Sequence, residues 1–113
     1  MTMSTKSFSR HDVVLVRYPY SDLSGAKIRP AVVVNAAHPS QDLLITPLTS
    51  RTSGLLPGEF VLADWRQGGL HVATAVKRGL YTVHQSLVAK RVGKLAPADG
   101  QSLDRSLHTW LGL

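Results

Sequence analysis

The sequence predicts a small, mainly β (α+β) domain with one helix at its C-terminal end. Short segments rich in β-branched and apolar residues alternate with Gly, Pro and Ser turns, which is typical of a barrel or sandwich. Near the C-terminus the apolar spacing changes to that of a helix. The chain has 113 residues, the length of one domain. We therefore expect a single compact β-barrel domain over residues 1–113, with the helix packed on it and residues 1–10 forming a flexible segment.

Three strands are predicted in the first half of the chain. The first is β-branched, and Pro19 closes it because proline cannot donate to a strand ladder. A turn-rich stretch over residues 20–28 is expected to be a loop. A second turn, over residues 37–41, separates the other two strands. The predicted strands cover residues 12–18, 30–35 and 42–48.

The second half predicts three shorter strands and the helix. The strands are expected at residues 59–63, 70–77 and 91–95. The helix is indicated by apolar residues at spacings i, i+4, i+7 and i+8. Asp99 or Ser102 is expected to cap its start, and Gly112 stands where a helix ends. The predicted buried face consists of Leu103, Leu107, Trp110 and Leu111.

Composition narrows the possible functions. Thirteen Lys and Arg face seven Asp and Glu, giving a net charge of +6, which favours an anionic partner such as nucleic acid. The absence of Cys excludes disulfides, thiolate nucleophiles and thiolate metal sites. The carboxylates are scattered without metal-ligand spacing, so no metal or other cofactor is expected. No signal-peptide core or membrane span is evident, which favours a cytoplasmic protein.

One pair of residues is predicted to meet without reference to any family. If the second and third strands form an antiparallel hairpin, opposed residue numbers sum to roughly 79, and Arg29 faces Thr49 or Ser50. A guanidinium offers a fork of donors that matches phosphate, and a hydroxyl adds a rotatable donor. Pro30 restricts the backbone from which Arg29 extends. The alternative is that an ordinary solvated Arg and a turn-capping hydroxyl end two strands, and the pattern alone leaves both interpretations open.

Several short motifs, in order, carry a resemblance to a known family. The string DVVLVRYPYSDLSGAKIRPAVVV at residues 12–34 resembles the opening of PemK/MazF toxin endoribonucleases, in which a first strand, a Gly/Ser loop and an Arg-Pro precede a buried strand. ITPLTS at 45–50 resembles the end of that family's third strand. Gly69-Leu70 and VGKL at 92–95, followed by a terminal helix, are similar to one branch of that family. Two departures are His11, where the family often has Gly, and His84, where it has Asp.

The resemblance implies a fold, an activity and partners. It implies an SH3-like barrel, a homodimer, and a toxin that cleaves single-stranded RNA or mRNA without metal and so inhibits translation and growth. Cleavage would proceed by attack of the 2′-hydroxyl on the adjacent phosphate. A cognate antitoxin would occupy the RNA groove. The family's catalytic Arg and Thr correspond to Arg29 and Thr49, and Ser50 is a possible auxiliary.

Basic and aromatic side chains are the candidates for holding the RNA. Lys27 and Arg51 are expected near Arg29, and Lys77 with Arg78 forms a basic pair that would contact phosphates. Residues 90–94 supply a second basic cluster. Unpaired bases stack on aromatic rings. Tyr20 is the preferred stacking residue, and Tyr18 and Trp65 are further candidates.

Two other functions remain open at this point. The same fold could serve a gyrase-poisoning toxin of the CcdB type, which would not need Arg29 and Thr49 together. It could also serve a non-enzymatic SH3-like module that binds RNA or peptide and leaves it intact. The general base of a nuclease is not evident, and His71 and His84 are the two histidines to test.

Overall fold

The computed structural model of the protein describes residues 7–19 and 26–113. This part of the chain forms seven strands, a short 3₁₀ turn at Gln85–Leu87 and one α-helix. The strands are β1 (Asp12–Pro19), β2 (Ala26–Val33), β3 (Asp42–Thr49), β4 (Phe60–Val61), β5 (Ala75–Val76), β6 (Tyr81–His84) and β7 (Val88–Lys94), and the helix is α1 (Pro97–Leu111).

The strands form one antiparallel arrangement in the order β4-β5-β3-β2-β1-β7, with β6 also paired to β3. β3 is central because it pairs with β2 on one side and, along its length, with both β6 and β5 on the other. The β1–β7 ladder shifts register twice, and such bulges bend a strand. Among the described strands no ladder joins β4 to β7. The predicted mainly β class with a C-terminal helix is confirmed, with a sheet that stays open.

Neighbouring residues of a strand point to opposite faces of the sheet. In this protein apolar side chains are buried on both faces. Val13 and Val14 illustrate this, since they are fully buried in different clusters. One cluster lies under α1 and includes Val32, Leu48, Val76, Leu103 and Leu107. The other lies on the opposite face and includes Val16, Ala31, Ile45, Val83 and Val88.

Several predicted strand bounds differ from the observed ones. β2 begins at Ala26 rather than at residue 30, because its turn-rich first residues pair with β1. β7 begins at Val88, three residues before its predicted start. The predicted strand at 70–77 is reduced to β5, and the one at 59–63 to β4, because regular ladders form only over these short stretches. β6 was missed, since its side chains are mostly exposed and give no clear apolar signal.

The helix begins and ends on different kinds of signal. Neither predicted side-chain cap is present, because Pro97 occupies the first turn and the helix follows Ala96 without a capping hydrogen bond. Asp99 instead is only 2% exposed, and its two carboxylate oxygens accept from the backbone N–H groups of Ala63 (2.7 Å) and Asp64 (2.9 Å). The predicted end is confirmed, since Gly112 adopts a left-handed conformation with φ of 69°.

The predicted apolar face of α1 is confirmed for its first members only. Leu103 and Leu107 are buried, whereas Leu111 is 51% exposed. Trp110 is half-buried, and its indole N–H donates to the carbonyl of Pro57 at 3.0 Å. The last turn of α1 therefore extends past the edge of the core that it covers.

Two glycine-containing motifs meet in the folded chain. A Cβ atom on Gly69 would overlap the carbonyl of Val92, and one on Gly93 would overlap the carbonyl of Gly68. Backbone lies directly against backbone at this point, which only glycine permits. The contact fixes the loop before β5 against β7.

We expect Gly69→Ala to destabilise the protein by roughly 1–3 kcal/mol more than Gly54→Ala, because only the former adds overpacking. Both glycines have positive φ, 86° and 67°, so the conformational cost is similar in the two variants. Gly54 has open space around it, which makes it a matched control. Urea unfolding measures the difference, and equal losses in the two variants would contradict the proposed contact.

The N-terminal segment is attached to α1 by a carboxylate. Oδ1 of Asp104 lies 2.9 Å from both a guanidinium nitrogen of Arg10 and Nε2 of His11. Partial burial acts to raise the pKa of Asp104, but hydrogen bonds from His11 and Arg10 outweigh it, so the pKa lies below its ordinary value of 3.8. Residues 7–10 belong to the segment that was expected to be flexible, and one of them, Arg10, contacts the helix.

This lowered pKa predicts a pH dependence of stability. The carboxylate contributes fully above pH 3.8, and its contribution is lost as the pH falls through the lower folded-state pKa. The difference in unfolding free energy between the wild type and Asp104→Asn should therefore shrink as the pH falls below 3.8. Urea unfolding at several pH values below 3.8 measures it, and a difference that grows over that range would show that the sign is wrong.

Candidate functional site

The hairpin of β2 and β3 brings Arg29 and Thr49 to the same end of the sheet. Ala31 lies opposite Pro47 at the last pair of the ladder, one residue from the predicted register. Arg29 and Thr49 each stand two residues beyond this pair, at the same end of the hairpin. Residues two apart in a strand share a face of the sheet. Arg29 therefore lies on the same face as Ala31, and Thr49 on the same face as Pro47, which is the face away from α1.

A third strand adds Lys77 to the same face. The backbone N–H of Lys77 donates to the carbonyl of Pro47 at 3.0 Å, which continues the pairing of β5 with β3. Lys77 is therefore opposite Pro47 and points to the same side of the sheet. Three neighbouring strands thus contribute a guanidinium, a hydroxyl and an ammonium group.

These groups line an open cleft of about 500 Å³. Within residues 7–19 and 26–113, its lining contains no carboxylate, and no ion pair engages Arg29 or Lys77. Two cations without an ion-pair partner among the described residues give the cleft a positive charge that suits an anion. The complete lining is Tyr18, Arg29, Pro30, Pro47, Leu48, Thr49, Lys77 and Tyr81.

The hydroxyl of Thr49 is oriented by the chain that follows it. Its Oγ1 accepts a hydrogen bond from the backbone N–H of Arg51 at 3.1 Å. An oxygen used as an acceptor in this way retains its own hydrogen for donation. Thr49 can therefore donate to a group bound in the cleft.

The other described basic residues that were predicted to contact RNA do not line the cleft. Lys27 is exposed on β2, opposite Tyr18 and on the face of Arg29. Ser50 and Arg51 are exposed directly after β3 but do not line the cleft.

Arg78 lines a smaller neighbouring cavity of about 160 Å³, with Leu80 and Trp110. Tyr20 lies outside the described residues.

The aromatic candidates are separated by the sheet. Tyr18 lines the cleft and packs against the cluster beneath it. Trp65 packs against the cluster on the helix side, with the guanidinium carbon of Arg66 4.6 Å from its ring centroid, so it lies away from the cleft. Tyr81 is 52% exposed and lines the cleft. Sequence reasoning missed Tyr81 because it missed β6, although the Gly79-Leu80 turn ahead of it was a usable signal.

The second basic cluster stabilises the fold. Asp12 is almost completely buried, and its carboxylate lies 3.3 Å from Arg91 and 3.6 Å from the ammonium of Lys94. It also accepts from the backbone N–H of Ser9 at 2.8 Å. These cations compensate a buried charge, as such a charge requires.

Neither candidate histidine lines the cleft. His71 is exposed. Nδ1 of His84 accepts from the backbone N–H of Ser86 at 3.1 Å and lies 2.8 Å from its hydroxyl, so His84 caps the 3₁₀ turn. The described part of the chain holds no group of three or more potential metal ligands, and none of its helices is long and apolar enough to cross a bilayer.

Several solved structures are similar to this chain in fold. An endoribonuclease from a Mycobacterial species, in complex with its cognate antitoxin, is 19% identical with a TM-score of 0.72, covering 95% of this chain and 97% of that one. MazF from Deinococcus radiodurans is 20% identical with a TM-score of 0.74, covering 96% and 100%. A MazE–MazF complex from the same organism is 16% identical with a TM-score of 0.78, covering 96% and 99%.

Comparison of the sequence with protein families gives a more direct result. No curated protein matches the chain. One family profile, described as the PemK-like, MazF-like toxin of type II toxin-antitoxin systems, matches residues 9–111. That range contains every element from β1 to α1, together with the cleft of Arg29, Thr49 and Lys77. The chain therefore belongs to the PemK-like, MazF-like family of toxins of type II toxin-antitoxin systems.

Proposed function

We propose that this toxin is an endoribonuclease that cleaves single-stranded RNA, and that it does so in the cleft between β2, β3 and β5. The observation that carries the proposal is the presence of Arg29, Thr49 and Lys77 on one face of the sheet, where they line the same cleft. Among the described residues, no carboxylate lines this cleft. A phosphodiester is an anion whose oxygens match these donors. The similar structures named as endoribonucleases and MazF toxins support the same activity.

RNA supplies the nucleophile for its own cleavage. The 2′-hydroxyl attacks the adjacent phosphorus, the bond from phosphorus to the 5′-oxygen breaks, and the products carry a 2′,3′-cyclic phosphate and a 5′-hydroxyl. The proton of the 2′-hydroxyl is lost, and the leaving 5′-oxygen gains one. Negative charge builds on the non-bridging oxygens in between, so groups that stabilise this charge accelerate the reaction.

Arg29 is suited to stabilise that charge. Its guanidinium is permanently protonated and presents donors in a fixed fork, which matches two phosphate oxygens. Thr49 donates a further hydrogen bond to a non-bridging oxygen. Ser50, exposed next to it at the strand end, is proposed as an auxiliary although it does not line the cleft. We propose a metal-independent reaction because the substrate provides the nucleophile and Arg29 the charge stabilisation.

The remaining cleft residues hold the strand in place. Lys77 contacts a phosphate as a point charge, and Lys27, Arg51 and Arg78 extend the positive surface around it. Tyr81 offers an exposed ring for a base. Tyr20 is proposed as a second stacking residue.

The proposal includes two protein partners and a location. As a member of a toxin-antitoxin family, the chain is expected to be neutralised by a cognate antitoxin that covers the cleft. A homodimer is expected because a chain this short buries a small core and leaves large apolar side chains such as Leu56 and Val72 exposed. Action on mRNA places the toxin in the cytoplasm.

Arg29→Ala should lower the rate of RNA cleavage by about 10²–10³-fold, the usual cost of removing one charge-stabilising donor. Thr49→Val should give a smaller loss, and Thr49→Ser should retain most activity because it keeps the hydroxyl. The assay is cleavage of a long single-stranded RNA in EDTA. Arg105→Ala is the control, since it removes a positive charge from the helix side of the molecule.

The outcomes of this assay separate the competing functions. Equal cleavage by the wild type and by folded Arg29→Ala would reject the site. A folded wild type that binds RNA without cutting it would instead support a non-enzymatic binding module. Absence of both activities, together with gyrase inhibition, would favour the gyrase-poisoning alternative.

Lys77→Ala should weaken RNA binding and make it less dependent on salt. Loss of one phosphate contact should reduce the slope of log affinity against log salt concentration by about 0.7, the value for single strands. The measurement is a titration of fluorescently labelled RNA at several salt concentrations, with Arg105→Ala as control. An unchanged slope in a folded Lys77→Ala protein would remove this residue from the RNA path.

A further inference from the structure

One carboxylate outside the cleft contacts the chain segment that carries Lys77. Oε1 of Glu59 accepts from the backbone N–H of Leu56 at 2.7 Å, and Oε2 accepts from the backbone N–H of Arg78 at 2.8 Å. Both are charge-assisted hydrogen bonds to backbone, the stronger kind. The side chain therefore joins the turn before β4 to the residue that follows Lys77.

The Glu59 carboxylate replaces a missing rung of the β4–β5 ladder. Phe60 pairs with Val76, so two residues further along an uninterrupted ladder the carbonyl of Gly58 would face the N–H of Arg78. That carbonyl instead accepts from the hydroxyl of Ser106 on α1 at 2.7 Å. The N–H of Arg78 therefore needs another acceptor, and Glu59 supplies it.

The turn that carries Glu59 is itself held firmly. Leu56-Pro57-Gly58-Glu59 has proline and a glycine with φ of 85° at its central positions, the pattern of a type II β-turn. The N–H of Glu59 donates to the carbonyl of Leu56 at 2.9 Å. Two helix side chains, Ser106 and Trp110, donate to the carbonyls of Gly58 and Pro57. The helix thus provides a fixed base for the carboxylate.

Lys77 is consequently fixed from two sides. Its own N–H is held by Pro47 on β3, and the next N–H along the chain is held by Glu59. The two hydrogen bonds point to opposite neighbours of β5, as successive N–H groups of a strand do. Together they set the position from which the Lys77 side chain enters the cleft.

We propose that Glu59 is a positioning residue for RNA binding, which acts through the backbone of Arg78 to hold Lys77 at the cleft. This inference rests on the proposed function of the cleft. It assigns to an acidic residue a favourable role in binding a polyanion.

The sign of the effect distinguishes positioning from simple electrostatics. Removing a negative charge close to Lys77 and Arg78 would by itself strengthen attraction to RNA. Loss of the hydrogen bond to Arg78 would instead release Lys77 and weaken binding. In Glu59→Gln only one side-chain atom can still accept a hydrogen bond, so that variant removes the charge and one of the two backbone hydrogen bonds while keeping the size of the side chain.

The experiment measures binding of a single-stranded 2′-O-methyl RNA, which lacks the nucleophile and stays intact, by wild type, Glu59→Gln and Glu59→Ala. We expect a dissociation constant about tenfold higher for Glu59→Ala, consistent with the loss of hydrogen bonds to a charged group. Asp64→Asn is the matched control, because Asp64 also accepts from a backbone N–H, that of Gln67 at 3.2 Å, but lies away from the cleft.

A double-mutant cycle tests whether the effect passes through Lys77. In a Lys77→Ala background, Glu59→Ala should cause no further loss of affinity. Amide hydrogen exchange provides a readout without RNA, and the N–H of Arg78 should exchange about tenfold faster in Glu59→Ala. If that variant does not fold, Glu59→Gln serves in both measurements.

Three results would overturn the inference. They are unchanged or tighter RNA binding by Glu59→Ala, an equal loss with and without Lys77, and unchanged exchange at Arg78. A wild type that binds the methylated RNA but does not cleave ordinary RNA would reject the proposed nuclease activity and leave this inference standing.

Discussion

The pairing of β3 with strands on both of its sides is the constraint on which the rest of the structure depends. β2 on one side and β5 on the other present Arg29 and Lys77 to the face that ends in Thr49. A shift of either ladder by one residue would turn the corresponding side chain to the helix side. The short connection between β2 and β3 restricts such a shift in their ladder, because the length of a hairpin loop limits the register of its strands.

The two faces of the sheet have separate tasks. The face under α1 is closed by Leu103 and Leu107, which share a buried cluster with Val13, Val32 and Leu62. The other face is closed near its middle by strand side chains and ends in the cleft, where apolar packing gives way to charged groups. Arg29 and Lys77 therefore stand on a rigid base although their ends are in solvent, which suits groups that must hold a phosphate in one position.

Acidic residues in this basic protein mainly hold backbone in place. Asp99 binds the loop after β4, Glu59 binds the segment after β5, and Asp12 accepts from Ser9 while pairing with two cations. The pKa of Glu59 lies below its ordinary value, chiefly because of the hydrogen bond from Arg78 and then that from Leu56. The carboxylates within residues 7–19 and 26–113 thus lie outside the cleft, where they hold the scaffold and leave the described cleft lining positive.

The sequence by itself determined the strands with many β-branched residues, the end of the helix at Gly112 and the convergence of Arg29 with Thr49. These follow from local periodicity and from one short hairpin, whose register is limited by a five-residue turn. The short strands β4 and β5, the missed β6 and the role of Asp99 depend on partners distant in the chain. Only the tertiary structure placed Lys77 and Tyr81 beside Arg29, and only it separated Trp65 from them. The side of the sheet on which a residue lies is decided by pairing between strands, and no local pattern encodes that pairing.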